Sequence, residues 1–482
     1  MKTRDGIKSG LAWTFSERMA AQGVSTIVSI ILARLLTPEH YGIIAIVTVF
    51  ITVCDAFVSG GLGTALVRMP KVTAQDYSTA FAINLIVSMV LYAILYLCAP
   101  MIANFYNMPI LVNVVRVMGL RLPIAAISSI QQAYVQRRMA FRRFFFATLS
   151  GSLCSAVIGI ALAYRGAGVW ALVAQNMSNV SINVVTLYIS NRWIPGLKIS
   201  KASAKEIIGF GSRVLGAQLI STFTTEIRSL VVGKAFGSSE LAYYEQGRKY
   251  PALIVNNVNN ALNKVMLPAY SRTQENIPQL KAILRKSISV GIFILAPVLI
   301  GFAAVAENFV YVVLTQKWLP CVIFIQISCL SYLTRPLETS CHQALLAVGK
   351  ADLVFRILLI VDITNITLML LAVFLCKSLI LTACSMLVAT LISVLCFMRA
   401  AKTYFTYTFR EQAKDLLPTL LISSIMYATV QFVARVVEMN LLGLILQILV
   451  GAVVYIAGAW LCKLDGFAYL VRTIRNRCKS DK

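Results

Sequence analysis

The sequence predicts an all-α polytopic membrane protein of about fourteen transmembrane helices, and three observations predict it. Apolar residues make up 59% of the 482 positions and charged residues only 13%, with a mean hydropathy of +0.78, a balance that soluble domains do not reach. The apolar residues gather into blocks of the roughly 20 residues that a helix needs to cross a bilayer. The loops between those blocks alternate between rich and poor in Lys and Arg, as expected when basic loops resist translocation and stay in the cytoplasm.

Each span can be justified in order. The first, 11–35, follows the basic cluster Lys2, Arg4 and Lys8. It is longer than a signal-peptide core and no small-residue cleavage site follows, so it is expected to be retained. The second and third are 41–64 and 78–100; the fourth, 111–134, ends at Arg137, Arg138, Arg142 and Arg143. The fifth and sixth, 144–164 and 168–190, precede Arg192, Lys198, Lys201 and Lys205. The seventh and eighth, 207–233 and 240–268, lead to Lys281, Arg285 and Lys286. The ninth to twelfth are 288–314, 320–347, 353–376 and 379–399, followed by Arg399, Lys402, Arg410 and Lys414. The last two, 415–437 and 441–462, precede a basic tail from Arg472 to Lys482. The fourth, seventh, eighth and tenth are the most polar, and parity supports them: removing any one breaks the alternation. Both termini are therefore expected in the cytoplasm.

A weak internal echo organises the spans. The hairpin I-L-A-R-L-L-T-P-E-H-Y-G runs from Ile31 to Gly42, and V-V-G-K-A-F-G-S-S-E-L-A-Y-Y runs from Val231 to Tyr244. Each has an apolar helix end, one basic residue, a short turn, an acid and a Tyr, and six spans separate them. Repeats of this kind are common in transporters. The expectation is two pseudo-symmetric six-helix lobes plus a C-terminal helix pair. Residues 1–190 form the N-terminal lobe, 191–206 an amphipathic cytoplasmic linker, 207–400 the C-terminal lobe, and 401–482 the last two spans with the tail.

Several function classes fall away. The net charge of +25 would suit nucleic acid, but it is parcelled among membrane loops, where it matches orientation and attraction to an anionic leaflet. The eleven cysteines are scattered, with no C-x-x-C pair for zinc or redox work. The two histidines, His40 and His342, belong to no H-E-x-x-H motif, and neither G-x-S-x-G nor a Walker A motif is present. No enzyme, cofactor or metal site is expected.

Charges inside the spans are the informative constellation. The basic ones are Arg18, Arg116, Arg121, Arg213, Arg228, Arg248, Lys249, Lys264 and Arg335; the acids are Glu17, Asp55, Glu226, Glu245, Glu338 and Asp362. A mid-membrane Arg or Lys costs about 2.5–3.5 kcal/mol. Exposing all of these cations to lipid would cost on the order of 25 kcal/mol, more than a typical fold's stability. They must pair, snorkel or line a wet cavity. Arg18, Arg116, Arg121, Arg213, Arg228, Arg248 and Lys249 are read as a cationic cavity for an anionic substrate. At about 1.5 Å per residue, Arg18 and Arg213 fall in the cytoplasmic half, Arg121 and Arg248 near the midplane, and Arg116 and Arg228 further out. The eighth span is rich in Tyr and Asn that cannot face acyl chains. Its Tyr244, Asn256, Asn257 and Asn260 are candidate sugar contacts, and Gly247 with Pro251 would allow a bend. Asp55 and Asp362 have no evident partner nearby. Asp362 with Asn365 offers oxygen ligands, so Asp55, Asp362 and Asn365 are candidates for ion coupling, with a salt bridge from Asp362 to Arg356 or another helix as the alternative.

These residues resemble a known family. The hairpin L-A-R-L-L-T-P-E-H-Y-G, the segment G-G-L-G-T-A-L-V-R from Gly60 to Arg68, and N-K-V-M-L-P-A-Y-S-R-T-Q-E-N from Asn263 to Asn276 are similar to Wzx-type polysaccharide flippases. Those belong to the multidrug/oligosaccharidyl-lipid/polysaccharide exporter superfamily. The Q-K-W at Gln316 and the stretch Ala344 to Asp352 resemble its colanic-acid and teichuronic-acid branch. The resemblance implies two lobes around a cavity that opens alternately to either side of a bacterial inner membrane. It implies an undecaprenyl-pyrophosphate-linked oligosaccharide as cargo, destined for lipopolysaccharide, capsule or exopolysaccharide. Membrane lipids and a polysaccharide polymerase are the implied partners. Related lipid II flippases draw a cation site from spans 7, 11 and 12, and no matching motif occurs here. The rival readings are a drug antiporter of the same superfamily, which would favour an acidic or aromatic cavity, and a membrane-embedded glycosyl transferase, which would need a larger external loop.

Overall fold

The computed structural model describes residues 21–59, 61–191, 196, 199–464 and 466–467, and within these the side chains of 141, 206, 210, 213, 214, 217, 220, 260–265, 267 and 268 lie outside the description. The described residues are helical, with no strand among them. Their contacts group the chain into two compact units, Met1–Ala242 and Tyr243–Lys482.

Unit 1 contains α1 (Ala21–Leu35), α2 (Pro38–Ser59), α3 (Leu62–Arg68), α4 (Ala74–Tyr106), α5 (Ile110–Gly119), α6 (Arg121–Arg137), α7 (Phe141–Tyr164), α8 (Val169–Asn191) and α9 (Lys201–Phe236). Helix α9 belongs to unit 1, where it packs on α2, α3 and α4. Helix α10 (Ser238–Arg272) opens at the end of unit 1. Unit 2 continues with α11 (Ile277–Phe309), α12 (Val322–Tyr332), α13 (Arg335–Ala347), α14 (Ala351–Phe374), α15 (Leu379–Phe405), α16 (Phe409–Val436) and α17 (Leu441–Leu461). A π-helical turn, Val310–Leu314, and a 3-10 turn, Gln316–Cys321, join α11 to α12.

Among the described residues ten helical stretches are long and apolar enough to cross a membrane. They correspond to spans two to five and nine to fourteen. Helices α8, α9 and α10 have the length, at 23, 36 and 35 residues, but their polar side chains keep them out of that set. The first span is described only from Ala21. The second span is divided between α2 and α3, and two further spans break at prolines. The fourth divides into α5 and α6 because Pro123 has no N–H for the Gly119 carbonyl and its ring crowds that turn. The tenth divides into α12 and α13, with Pro336 in the first turn of the new helix. By contrast α10 runs uninterrupted past Gly247 and Pro251. A methyl group on Gly247 would lie 2.9 Å from the Phe324 carbonyl carbon, so this glycine serves the close approach of α12.

Local chemistry sets the helix ends. Thr73 and Asp76 form a reciprocal capping box at the start of α4, and Thr408 with Glu411 does so for α16. Asn107, at φ 55°, closes α4 in the left-handed conformation that Asn tolerates. Large apolar side chains remain exposed in bands, such as Ile94, Leu97 and Met101 on α4 and Leu442, Leu449 and Val453 on α17. Bands of this size are what lipid covers.

Loop contacts gather at the ends of the helices in each unit. At one end of unit 1, Arg137 donates to the carbonyls of Leu66 (2.8 Å), Val67 and Pro70 (both 3.3 Å) and to that of Met69. Beside it the Gly196 and Ser200 amides donate to Ser78 and Thr79 of α4 at 3.1 and 3.0 Å, while Ile199 stays exposed. At the other end the two echoed hairpins meet, Gly42 lying against the Ser238 backbone. There Lys234 donates to the Phe105 carbonyl and Tyr106 to that of Leu230 at 3.2 Å. In unit 2, Lys281 holds the Thr406 carbonyl (2.9 Å) and Glu411 (2.9 and 3.0 Å), and Arg285 grips Asp415 through two bonds of 2.8 and 2.7 Å. Tyr407 donates to the same Asp415 carboxylate at 2.7 Å. The opposite end of unit 2 seats the buried Trp318 edge-on to Tyr243, with ring centroids 6.0 Å apart.

Candidate functional site

The span charges divide between the two units. In unit 1 the break between α5 and α6 places Arg121 at the first position of a new helix. There its Nη2 lies 3.4 Å from Asp55 Oδ2 on α2. Two residues read from sequence as separate candidates, one a cavity cation and the other a coupling acid, are therefore one interhelical pair. The pair is a loose one: Asp55 Oδ1 and Arg121 Nε are both buried with no hydrogen-bond partner among the described residues. Arg116, a turn and a half earlier, stacks its guanidinium 4.2 Å over the Tyr96 ring of α4. Arg228 is buried in α9 and engaged by its neighbours.

In unit 2 the polar α10 carries Arg248. Its guanidinium lies 3.4 Å from Glu245 one turn earlier and 5.3 Å over the Tyr244 ring, within electrostatic reach of the Tyr332 hydroxyl. Tyr244 itself is 2% exposed and packs edge-on to Phe324 at 5.8 Å. This buried position makes Tyr244 part of Arg248's seat. Lys249 follows, half-buried and engaged. Asn256 and Asn257 are exposed, the Asn257 amide donating back to the Leu253 carbonyl at 3.0 Å. On α13, Arg335 lies 3.4 Å from Glu338, whose other oxygen accepts from Thr334 at 3.0 Å. Asp362 of α14 lies in the field of that same Arg335, and Asn365 is engaged one turn on. Arg18 lies outside the described residues, as do the side chains of Arg213 and Asn260. No cluster of metal-ligating side chains occurs among the described residues.

Sequence reasoning missed three participants. Tyr96 meets Arg116 only through packing between helices, whereas Tyr332, within reach of Arg248, also lies three residues before Arg335, whose guanidinium is 5.9 Å over its ring. The third is an apolar cleft of about 430 Å³ in unit 2 between α11, α16 and α17. Gly301 and Gly451 open it and Phe302, Met426 and Tyr455 line it; small residues on facing apolar helices were the signal available.

The sequence profile of the family described as "Polysaccharide biosynthesis protein" matches residues 31–323, more than half of the chain. The chain belongs to that family. Its similarity to the succinoglycan biosynthesis transport protein ExoT of Rhizobium meliloti (strain 1021) is 23% identity over 65% of this chain and 63% of that protein, just under two thirds of the relative's length. The lipopolysaccharide biosynthesis protein WzxC of Escherichia coli (strain K12) is 22% identical over 74% of this chain and 73% of its own. The teichuronic acid biosynthesis protein TuaB of Bacillus subtilis (strain 168) is 22% identical over 72% and 73%. Two solved structures share the fold. The lipid II flippase MurJ in an inward closed conformation superposes with a TM-score of 0.74 and 15% identity, covering 93% of this chain and 97% of that one. An inward-facing multidrug resistance MATE family transporter of the MOP superfamily gives 0.59 and 16%, covering 80% and 96%. The resemblance to Wzx-type flippases and the all-α transporter fold expected from sequence are both borne out.

Proposed function

We propose that the protein turns undecaprenyl-pyrophosphate-linked oligosaccharide repeat units from the cytoplasmic to the outer leaflet of a bacterial inner membrane by alternating access. Both termini are taken as cytoplasmic and a polysaccharide polymerase as the downstream partner. The observation that carries this reading is a pair of guanidinium groups within helical spans, Arg121 beside Asp55 and Arg248 beside Glu245, which the sequence puts near the midplane, in a chain of the polysaccharide biosynthesis family. Charged groups at that depth are functional by default, and guanidinium suits the oxygens of a pyrophosphate in geometry and charge. The exposed Asn256 and Asn257 of α10 offer amides to sugar hydroxyls. The apolar cleft of α11, α16 and α17 offers a lane for the prenyl chain, whose transfer into water would cost about 0.8 kcal/mol per CH₂. A cationic drug would meet repulsion from the same arginines, which disfavours the drug-antiporter reading.

The test is a deletion strain analysed for lipid-linked oligosaccharide on each face of the membrane. The expected outcome is cytoplasmic-face accumulation, relieved by the wild-type chain and not by Arg121→Gln or Arg248→Gln. Normal export in the deletion strain would refute the proposal.

A further inference from the structure

Among the described residues two Arg–Asp pairs join different helices, and they differ in quality in a way that says what the weaker one is for. Arg285 and Asp415 in unit 2 make two short parallel bonds, with Tyr407 completing the carboxylate's partners. That is how a pair looks when its task is to hold helices together. Arg121 and Asp55 in unit 1 touch through one 3.4 Å contact, with side chains 32% and 21% exposed. Each also keeps a buried polar atom without a partner among the described residues. A pair meant only for stability would be expected to close up, because a buried donor or acceptor left unmade costs about 1–3 kcal/mol. Arg121 also stands at the α5–α6 break, where no continuous helix fixes it to the turn before.

We propose that Asp55 is an internal counter-anion. It occupies Arg121 between cargoes and is displaced when the cargo's pyrophosphate takes the guanidinium. Two short charge-assisted bonds to phosphate oxygens then replace one long contact, so the exchange favours the incoming group. The displaced carboxylate stays on α2 beside the bound anion and repels it, which limits affinity and speeds release. Asp55 is thus a positioning residue that acts through Arg121 and sets the balance between capture and release. This rests on the proposed function above.

The test uses the purified full-length chain with geranyl pyrophosphate as a soluble probe, measured by calorimetry. Turnover of lipid-linked oligosaccharide is measured separately in proteoliposomes. Asp55→Asn is expected to tighten probe binding by about fivefold while lowering both KM and kcat. Asp55→Ser, read in the same way, serves if Asp55→Asn does not fold. In the background of Arg121→Gln, removal of the Asp55 charge is expected to change nothing, a result that a purely structural role does not produce. Wild-type binding combined with unchanged or weakened binding by both Asp55 variants overturns the counter-anion. Failure of the wild-type protein to bind any pyrophosphate overturns the proposed function itself.

Discussion

Replacing Asp415 by Asn tests whether the α11–α16 clamp is a principal tie of unit 2. Asp415 is nearly enclosed, its side chain 9% exposed, and accepts three bonds of 2.7–2.8 Å from Arg285 and Tyr407. Asn keeps the shape but loses the charge and one acceptor. Breaking a fully buried pair by removing one partner costs about 3–5 kcal/mol. Arg285 is 39% exposed and also lies 3.9 Å from Glu411, so water and a second acid recover part of that. Discounted for screening, the expected loss is about 2 kcal/mol, a roughly thirtyfold shift in the unfolding equilibrium. Reversible unfolding in mixed micelles measures it. A double-mutant cycle with Arg285→Met should return a coupling of about 1–2 kcal/mol. A loss under about 0.5 kcal/mol, or strict additivity in the cycle, would refute the reasoning.

Other outcomes follow from other contacts. Gly42→Ala puts a methyl into the Ser238 backbone, where the echoed hairpins meet; thermal unfolding should show a loss of about 1–3 kcal/mol, and wild-type stability would mean that the hairpins do not touch. Arg137→Gln removes the guanidinium that gathers the carbonyls after Leu66; proteolysis between Arg68 and Thr73 should quicken. The exposed native thiols Cys376 and Cys462 report topology when each is the single cysteine. A membrane-impermeant maleimide should label Cys376 in intact cells and Cys462 only after permeabilisation, and the reverse pattern would invert the orientation.

Helix positions were legible because bilayer thickness imposes a length and an apolar content that a single sequence displays directly. The two ends of each unit were legible for a related reason. The insertion rule acts on Lys and Arg residue by residue, and Arg137, Lys281 and Arg285 contact loops that the same charge pattern assigns to their side. Pairings across helices were not legible. Asp55 showed no partner because the residue it meets, Arg121, lies on another span, at the α5–α6 break. Tyr244 sits among Asn and charged residues in the sequence, and its packing against Phe324, far along the chain, had no local signal. Gly247 looked like a hinge, yet its missing side chain is used by a neighbouring helix.

The clamp at Lys281 and Arg285 also has a consequence in time. Its acids lie 130 residues further along the chain. At typical synthesis rates of about 5–20 residues per second, the ribosome delivers them roughly 7–26 s after the cations. During that interval neither acid neutralises the two cations, so both are at full strength for the cytoplasmic retention that the pattern of basic loops predicts while α11 inserts. When α16 arrives, Glu411 and Asp415 quench the same charges and convert them into a fastening. Under the orientation expected from the sequence, the order of synthesis lets one pair of side chains bias direction first and supply cohesion afterwards.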